Sequence, residues 1–100
     1  MSDLDGMAPL HFASAGGHLE AVARLLAGGA SSNQATKNGT TPLILSAGLG
    51  KTDVVKLLLE AGADPRLTLT SGECALSIAE HGHYSAVTSL LKAKLQQLEW

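Results

Sequence analysis

The chain has 100 residues, of which 45% are hydrophobic, 16% are charged and 3% are aromatic. This balance fits a single globular domain with an aliphatic core, and it argues against intrinsic disorder and against an aromatic-rich sandwich of sheets. The formal net charge is -2 and the seven Lys and Arg residues are scattered, so we expect no basic face that would bind nucleic acid.

The first predicted elements are a turn, a short helix, a tight connection and a second helix, which together cover about residues 5–37. Gly6 falls in the turn, Pro9 suits the first position of the short helix, and Gly17 suits the connection after it. Ala8 stands where a hydroxyl side chain would cap the short helix. We therefore expect this helix to be less stable, by about 1 kcal/mol, than one with a Ser or Thr cap.

The middle part, residues 38–70, carries the same signals more clearly. Thr41 is a predicted N-cap and Pro42 the first helical position, while Gly50 follows the short helix, where a left-handed residue can end it. Gly62 ends the second helix. The apolar residues of that helix are Val54, Val55, Leu57, Leu58 and Leu59. Such a crowded apolar face predicts contacts with neighbours on more than one side.

The third part, residues 71–100, departs from this pattern at two places. Cys74 precedes Ala75, so the hydroxyl cap is again lost, at a cost of about 1 kcal/mol. One residue is predicted to be missing near His81–Gly82, because later apolar residues match the middle part at a spacing of 32. These residues are Val87, Leu90 and Leu91. We expect a shortened connection between the two helices, which would reshape this end of the molecule.

The three parts otherwise align with one another at a spacing of 33, which we call the repeat length. The matched positions are Gly6/Gly39/Gly72, Leu10/Leu43/Leu76, Pro9/Pro42, Gly17/Gly50, Val22/Val55, Leu25/Leu58, Leu26/Leu59, Gly29/Gly62 and Ala30/Ala63. They include Gly and Pro positions that control backbone shape, so the parts are internal repeats. A lone helix pair could not bury its apolar faces, whereas stacked copies can, which predicts a solenoid.

The motifs are Pro9-Leu10-His11-Phe12-Ala13 and Gly17-His18-Leu19-Glu20-Ala21-Val22 in the first copy, and Asn38-Gly39-Thr40-Thr41-Pro42-Leu43 and Val54-Val55-Lys56-Leu57-Leu58-Leu59-Glu60-Ala61-Gly62-Ala63-Asp64 in the second. Over essentially the entire chain, the sequence resembles the ankyrin repeat. The resemblance implies an all-α solenoid of three helix-turn-helix repeats joined by β-hairpin-like turns, in one domain of residues 1–100. It also implies that His11 ties its turn to the neighbouring repeat. Ile44 and Ser77 replace it elsewhere, so we do not expect this tie along the whole stack.

The two ends of the predicted stack differ. Leu91, Leu95 and Leu98 keep a helical spacing, and the residues between them are mostly polar, which predicts a lengthened last helix that caps the stack. No comparable polar helix precedes Asp5. The first copy presents alanine-rich helix faces, at Ala13, Ala21, Ala23 and Ala27. This pattern indicates either a frayed N-terminal edge or a chain cut from a longer array.

Ankyrin arrays, as the resemblance implies, bind partners through the turn tips and the concave row of short helices. The contact positions carried over are Leu4, Asp5, Met7, Ala15, Gly16, Lys37, Asn38, Thr40, Gly48, Leu49, Thr70, Ser71, Glu73 and His81. Leu4, Met7 and Leu49 are apolar where the core does not need them, and polar or charged positions rim them. This favours a partner protein or peptide with an apolar anchor near Met7 and Leu49. The alternative is a solvated surface without particular affinity.

Signals for chemistry are weak. Gly48–Thr52 ends in Gly-Lys-Thr like a phosphate-binding loop, but Leu45 stands where its first Gly belongs, and the segment falls between two predicted helices. His81 and His83 form a pair without the further ligands that a zinc site needs. No Ser or Cys lies in a recognisable nucleophile turn. We therefore expect no catalytic residue, no cofactor and no metal, and an enzymatic role would need a domain outside this segment.

The single cysteine, Cys74, cannot form an internal disulfide, which favours a reducing compartment. The first five residues lack a secretory-signal pattern, and no apolar run approaches the roughly 20 residues of a membrane span. We expect a cytoplasmic or nuclear, monomeric interaction module, as an adaptor or part of a larger protein. The alternative is a structural segment that self-associates through its poorly capped N-terminal edge.

Overall fold

The computed structural model describes residues 6–98, and this part of the chain forms six α-helices. In chain order they are α1 (Pro9–Ala15), α2 (Leu19–Ala27), α3 (Pro42–Gly48), α4 (Thr52–Glu60), α5 (Ala75–His81) and α6 (Ser85–Leu98). Each short helix of seven residues is followed by a longer one, and no strand occurs between residues 6 and 98. The prediction of an all-α solenoid of three helix pairs is therefore confirmed.

The helix pairs stack in two layers. The short helices form one layer, in which α1 packs on α3 and α3 on α5. The long helices form the other, in which α2 packs on α4 and α4 on α6. The short helices contact one another more extensively than the long helices do, so the layer of short helices is the more closely packed of the two.

A continuous aliphatic core lies between the two layers. Its buried members are Leu10, Ala13, Val22, Leu43, Ile44, Ala47, Val54, Val55, Leu58, Leu59, Ala63, Ala75, Ala79, Val87 and Leu91. The middle helix pair supplies the largest share, because it has a neighbour on each side. This arrangement explains the crowded apolar face that the sequence places on α4.

The starts of the short helices differ as the sequence predicts. The Thr41 hydroxyl accepts a hydrogen bond from the backbone N–H of Ile44 at 3.2 Å and so caps α3. Ala8 and Cys74 make no such side-chain bond at α1 and α5. The Cys74 N–H instead donates to the Ser77 hydroxyl at 3.1 Å, so the start of α5 keeps a side-chain partner from within the helix.

The predicted deletion in the third repeat is wrong. The helix α5 begins one repeat length after α3, and α6 begins one repeat length after α4, so the connections within the three helix pairs are equally long. The backbone confirms this register. The N–H of His18 donates to the carbonyl of Ala13, and the equivalent bonds recur one and two repeat lengths later. These bonds run from Lys51 to Ser46 and from Tyr84 to Ala79.

His83 is the physical reason that no deletion is needed. It adopts the left-handed conformation, with φ of 61°, that Gly17 and Gly50 adopt in the other connections. Histidine enters this region more readily than most side chains, although at a cost that glycine does not bear. The match at a spacing of 32 misleads because Val54 and Val55 are both buried, so the single Val87 fits either register.

The expected tie at His11 is confirmed. Its ring is fully buried, and Nε2 lies 2.9 Å from the carbonyl oxygen of Thr40 in the next repeat. Its Nδ1 accepts a hydrogen bond from the Ala8 N–H at 3.0 Å, so Nε2 carries the proton that is donated to Thr40. The Ser77 hydroxyl bonds only within its own repeat, to the backbone of Cys74.

Candidate functional site

The turn between the first two repeats is held rigidly by its own side chains. The Thr36 N–H donates to the Thr40 carbonyl at 2.9 Å, and the Gly39 N–H donates to the Thr36 carbonyl at 3.0 Å. The Asn38 side-chain oxygen accepts hydrogen bonds from the hydroxyls of Thr36 and Thr40. The side chains of two predicted contact residues, Asn38 and Thr40, therefore stabilise the turn itself. Lys37, beside them, is exposed.

The next turn has the same construction. The Leu69 N–H donates to the Glu73 carbonyl at 2.8 Å, and Thr68 forms an isolated antiparallel bridge with Cys74. The predicted contact residues at its tip are exposed, namely Thr70, Ser71 and Glu73. The chain thus forms hairpin-like turns without regular strands in its described part, as the resemblance implies.

Neighbouring turn tips are joined side by side. The Thr70 N–H donates to the carbonyl of Asn38 at 2.9 Å. This bond links the turn around Gly39 to the turn around Gly72. A Cβ atom at Gly39 would lie only 2.7 Å from the carbonyl oxygen of Thr68, and φ at Gly39 is 88°, so both the close approach and the backbone require glycine there. These two tips therefore form one connected ledge.

The ends of the short helices form a second row. Ala15, Gly48 and His81 occupy equivalent positions, of which the first two are half-buried and the third is exposed. The His81 Nδ1 lies 2.9 Å from the carbonyl oxygen of Ser77 within the same helix. Gly16 and Leu49, one residue further along the first two repeats, are exposed. This row thus carries small residues in its first two repeats and an imidazole in the third.

The proposed apolar anchor is split between two levels of this surface. Met7 precedes α1 and is half-buried, whereas Leu49 follows α3 and is 49% exposed. A seven-residue helix rises about 10 Å, so Met7 and Leu49 lie near opposite ends of the short helices rather than side by side. Leu4 and Asp5 lie outside the described residues.

Phe12 is an exposed apolar side chain that the sequence analysis does not assign to the surface. It lies on α1, between the levels of Met7 and Ala15, and is 51% exposed, the largest fraction among the exposed large hydrophobic residues. Successive helical residues are about 100° apart, so Phe12 points some 200° away from the buried Leu10.

Aromatic and aliphatic side chains pack over the glycines of the connections. A Cβ atom at Gly50 would lie 2.6 Å from the ring of Tyr84, which covers the connection of the preceding repeat. The aliphatic stem of Lys51 lies over Gly17 in the same way, at 3.1 Å from such an atom. These contacts give Gly50 and Gly17 a packing role in addition to their positive φ values of 69° and 71°.

The Gly48–Thr52 segment runs from the end of α3 through a connection into α4, which confirms that it joins two helices. Between residues 6 and 98, no group of three or more His, Cys, Asp and Glu side chains is placed to hold a metal ion. None of the helices in that range has the length and apolar character needed to cross a bilayer.

The clearest charge interaction lies away from the turn tips. Arg66 Nε donates to the Asp64 carboxylate at 3.0 Å, and this hydrogen bond lowers the pKa of Asp64. The Asp64 N–H donates to the Asn33 side-chain oxygen at 2.7 Å. This bond joins the segment after α4 to the segment after α2. These bonds fix the backbone of the two segments, and their residues are not among the predicted contact positions.

Comparison with known proteins identifies relatives along nearly the whole chain. A family described as "Ankyrin repeats (3 copies)" matches residues 10–98. The human "DNA-binding protein RFXANK" is 42% identical over 50 residues, which is 50% of this chain and 19% of that protein. The Caenorhabditis briggsae "Ankyrin repeat and KH domain-containing protein CBG24701" is 41% identical over 85 residues, which is 82% of this chain and 3% of the relative.

A third relative is the Schizosaccharomyces pombe "Ankyrin repeat-containing protein P1E11.10". It is 34% identical over 68 residues, which is 68% of this chain and 33% of the relative. The chain therefore spans at most about a third of the length of these relatives.

Proposed function

This chain belongs to the ankyrin-repeat family, and on that premise we propose that it binds a partner protein or peptide through its turn tips and its concave row of short helices. Ankyrin repeats are generally modules for protein–protein interaction. The observation that carries the proposal is the ledge of turn tips joined by the bond from Thr70 to Asn38. Loops fixed on a rigid scaffold can vary in sequence without loss of core packing.

The binding surface has two parts. The ledge offers the exposed side chains of Lys37, Thr70 and Glu73 to polar groups of the partner. The short-helix row offers apolar contacts at Phe12 and Leu49, with small residues between them. Because these apolar side chains are separated along the row, an extended segment with two apolar anchors fits this surface better than one central anchor does.

We extend the proposal to the whole chain. Residues 1–100 act as one domain of three repeats, with bounds near 5–37, 38–70 and 71–100, and serve as an adaptor or as part of a larger protein. The chain has no catalytic role of its own, and its setting is the cytoplasm or nucleus. One relative is named as DNA-binding. We nevertheless assign a protein partner here, because the net charge is -2.

Selection of peptides from a displayed library against the intact domain tests the proposal. Variants Thr70→Arg with Glu73→Arg, and Leu49→Arg with Phe12→Arg, should each weaken binding of the selected peptides at least about tenfold. The helical circular-dichroism signal and the melting temperature should change little, since all four side chains are exposed.

The matched control is Lys56→Glu with Ala23→Glu, which changes exposed positions on the long helices. This control should leave binding unchanged. Peptides that lose affinity for the control variant, but not for the turn and short-helix variants, would place the binding surface on the convex side and contradict the proposal.

A further inference from the structure

The buried ring of His11 is held in its neutral form by the two groups that it contacts. The Ala8 N–H donates to Nδ1 at 3.0 Å, so Nδ1 needs its lone pair. Nε2 lies 2.9 Å from the Thr40 carbonyl oxygen, which can only accept, so Nε2 carries the one ring proton. A charged imidazole has a hydrogen on both nitrogens and accepts no hydrogen bond. Proton uptake at Nδ1 would therefore set two donors against each other at the start of α1.

The described surroundings of the ring supply no buried negative charge. The ring is fully buried, and no Asp or Glu side chain is buried within residues 6–98. Neither α1 nor α3 has another ionisable side chain. Glu20 and Arg24 on α2 are paired with each other at the surface, and Lys37 in the turn and His18 in the connection are exposed. A charged ring at this place would thus be desolvated without a counter-ion.

The other three histidines can accept a second proton without such a conflict. His18, His81 and His83 are exposed, so water can solvate a charged ring. The His81 Nδ1 faces the Ser77 carbonyl at 2.9 Å, and a charged ring keeps this bond because both of its nitrogens donate. The conflict with a backbone N–H is therefore specific to His11 among the histidines.

We propose that His11 makes the first repeat sensitive to acid: proton uptake by its ring opens the start of α1 and weakens this repeat, while the second and third repeats keep their stability. Ile44 and Ser77 stand at the equivalent positions of those repeats, and neither side chain binds a proton in this range. The bond from Nε2 to the Thr40 carbonyl is available in both forms of the ring, so the break lies on the Ala8 side. This inference concerns the fold and does not depend on the proposed function.

The direction of the effect follows from which state binds the proton. Histidine in an unfolded chain takes up a proton at about pH 6.5. Below that pH the unfolded state therefore holds one proton more than the folded state, and stability falls as the pH falls. One proton changes the unfolding constant by at most about tenfold per pH unit, and by about fivefold between pH 6.5 and 5.5. The hydrogen bond with Arg66 lowers the pKa of Asp64, so the contribution of that carboxylate is lost only at lower pH.

Two measurements on the unchanged chain test the proposal. Nitrogen-15 NMR of the rings should show the proton of His11 on Nε2, and this ring should stay neutral in the folded chain at a pH where the exposed rings are charged. Hydrogen exchange, corrected for the pH dependence of its chemical step, should lose protection in α1 and α2 between pH 6.5 and 5.5, while α5 and α6 keep theirs. A His11 ring that becomes charged together with the exposed rings, with α1 still protected, would overturn the proposal.

A pair of variants isolates the titrating group. His11→Gln removes the proton-binding ring but offers an acceptor and a donor, so we expect a less stable chain whose unfolding constant changes less than about twofold between pH 6.5 and 5.5. The matched control, His18→Gln, removes an exposed imidazole of the same repeat and should keep the fivefold change. A fivefold change that persists in His11→Gln would assign the effect to another group and overturn the proposal. If His11→Gln does not fold, the ring titration of the unchanged chain decides.

Discussion

At the scale of single residues, the hydroxyl group of Ser14 is buried and makes no hydrogen bond within the described part of the chain. Ala47, at the equivalent position, is equally buried and packs without a hydroxyl. Ser14→Ala should therefore raise the free energy of unfolding by about 1 kcal/mol, because the desolvation penalty disappears. Urea denaturation measures the change.

A fully buried neighbour with a satisfied hydroxyl provides the control. The Ser46 hydroxyl donates to the Leu43 carbonyl at 3.1 Å. Ser46→Ala should lower the free energy of unfolding by about 0.5–1 kcal/mol, since this bond is lost. Changes of the same sign in both variants would show that hydrogen bonding does not decide the effect.

The left-handed backbone at His83 predicts a second stabilising substitution. Its φ of 61° suits glycine better than any branched residue. His83→Gly should raise the free energy of unfolding by about 1 kcal/mol, as the steric strain between Cβ and the backbone is removed. His81→Gly, at the last residue of α5, should instead lower it by about 0.5 kcal/mol, because glycine is a poor helix former. Stabilisation in both variants would instead point to the loss of the imidazole.

At the scale of elements, the start of α5 lacks the cap that α3 has. Cys74 has φ and ψ of -109° and 173°, close to the -104° and 162° of Thr41, so a hydroxyl there would point at the same backbone group. Cys74→Thr should therefore raise the free energy of unfolding by about 1 kcal/mol, and Thr41→Ala should lower it by a similar amount. Thermal and urea denaturation of the two variants measure this. A loss of stability in Cys74→Thr would show that the existing bond to Ser77 already satisfies the helix start.

The sequence predicts these elements well because their signals are local. Pro42, Thr41 and Gly50 each fix the backbone next to them, and the repeat spacing carries the pattern to the other copies. The prediction for the third connection is wrong because His83 adopts the left-handed conformation that glycine adopts in the other two connections. A histidine in the sequence gives no signal for that conformation. The surface was harder to predict. The exposure of Phe12 depends on whether another repeat covers it, which is a property of the stack.

At the scale of the whole molecule, the stack is joined by unequal ties. The first junction has the buried bond from His11 to the Thr40 carbonyl, whereas the Ser77 hydroxyl stays within its repeat. In a solenoid each repeat depends on its neighbours, so the strength of one junction sets how far unfolding of an end repeat is independent of the rest. The first repeat is therefore tied to the second by His11, and no equivalent side-chain bond joins Ser77 to another repeat.

His11→Ala should therefore separate the first repeat from the rest. It leaves the Ala8 N–H and the Thr40 carbonyl without their partner and creates a cavity, so we expect a loss of about 2 kcal/mol or more in the free energy that protects α1. Hydrogen exchange should accelerate in α1 and α2 while α5 and α6 keep most of their protection. The control, Ser77→Ala, removes bonds within one repeat and should affect α5 alone. Equal acceleration in all six helices of the described chain would mean that the three repeats unfold as one unit despite the unequal ties.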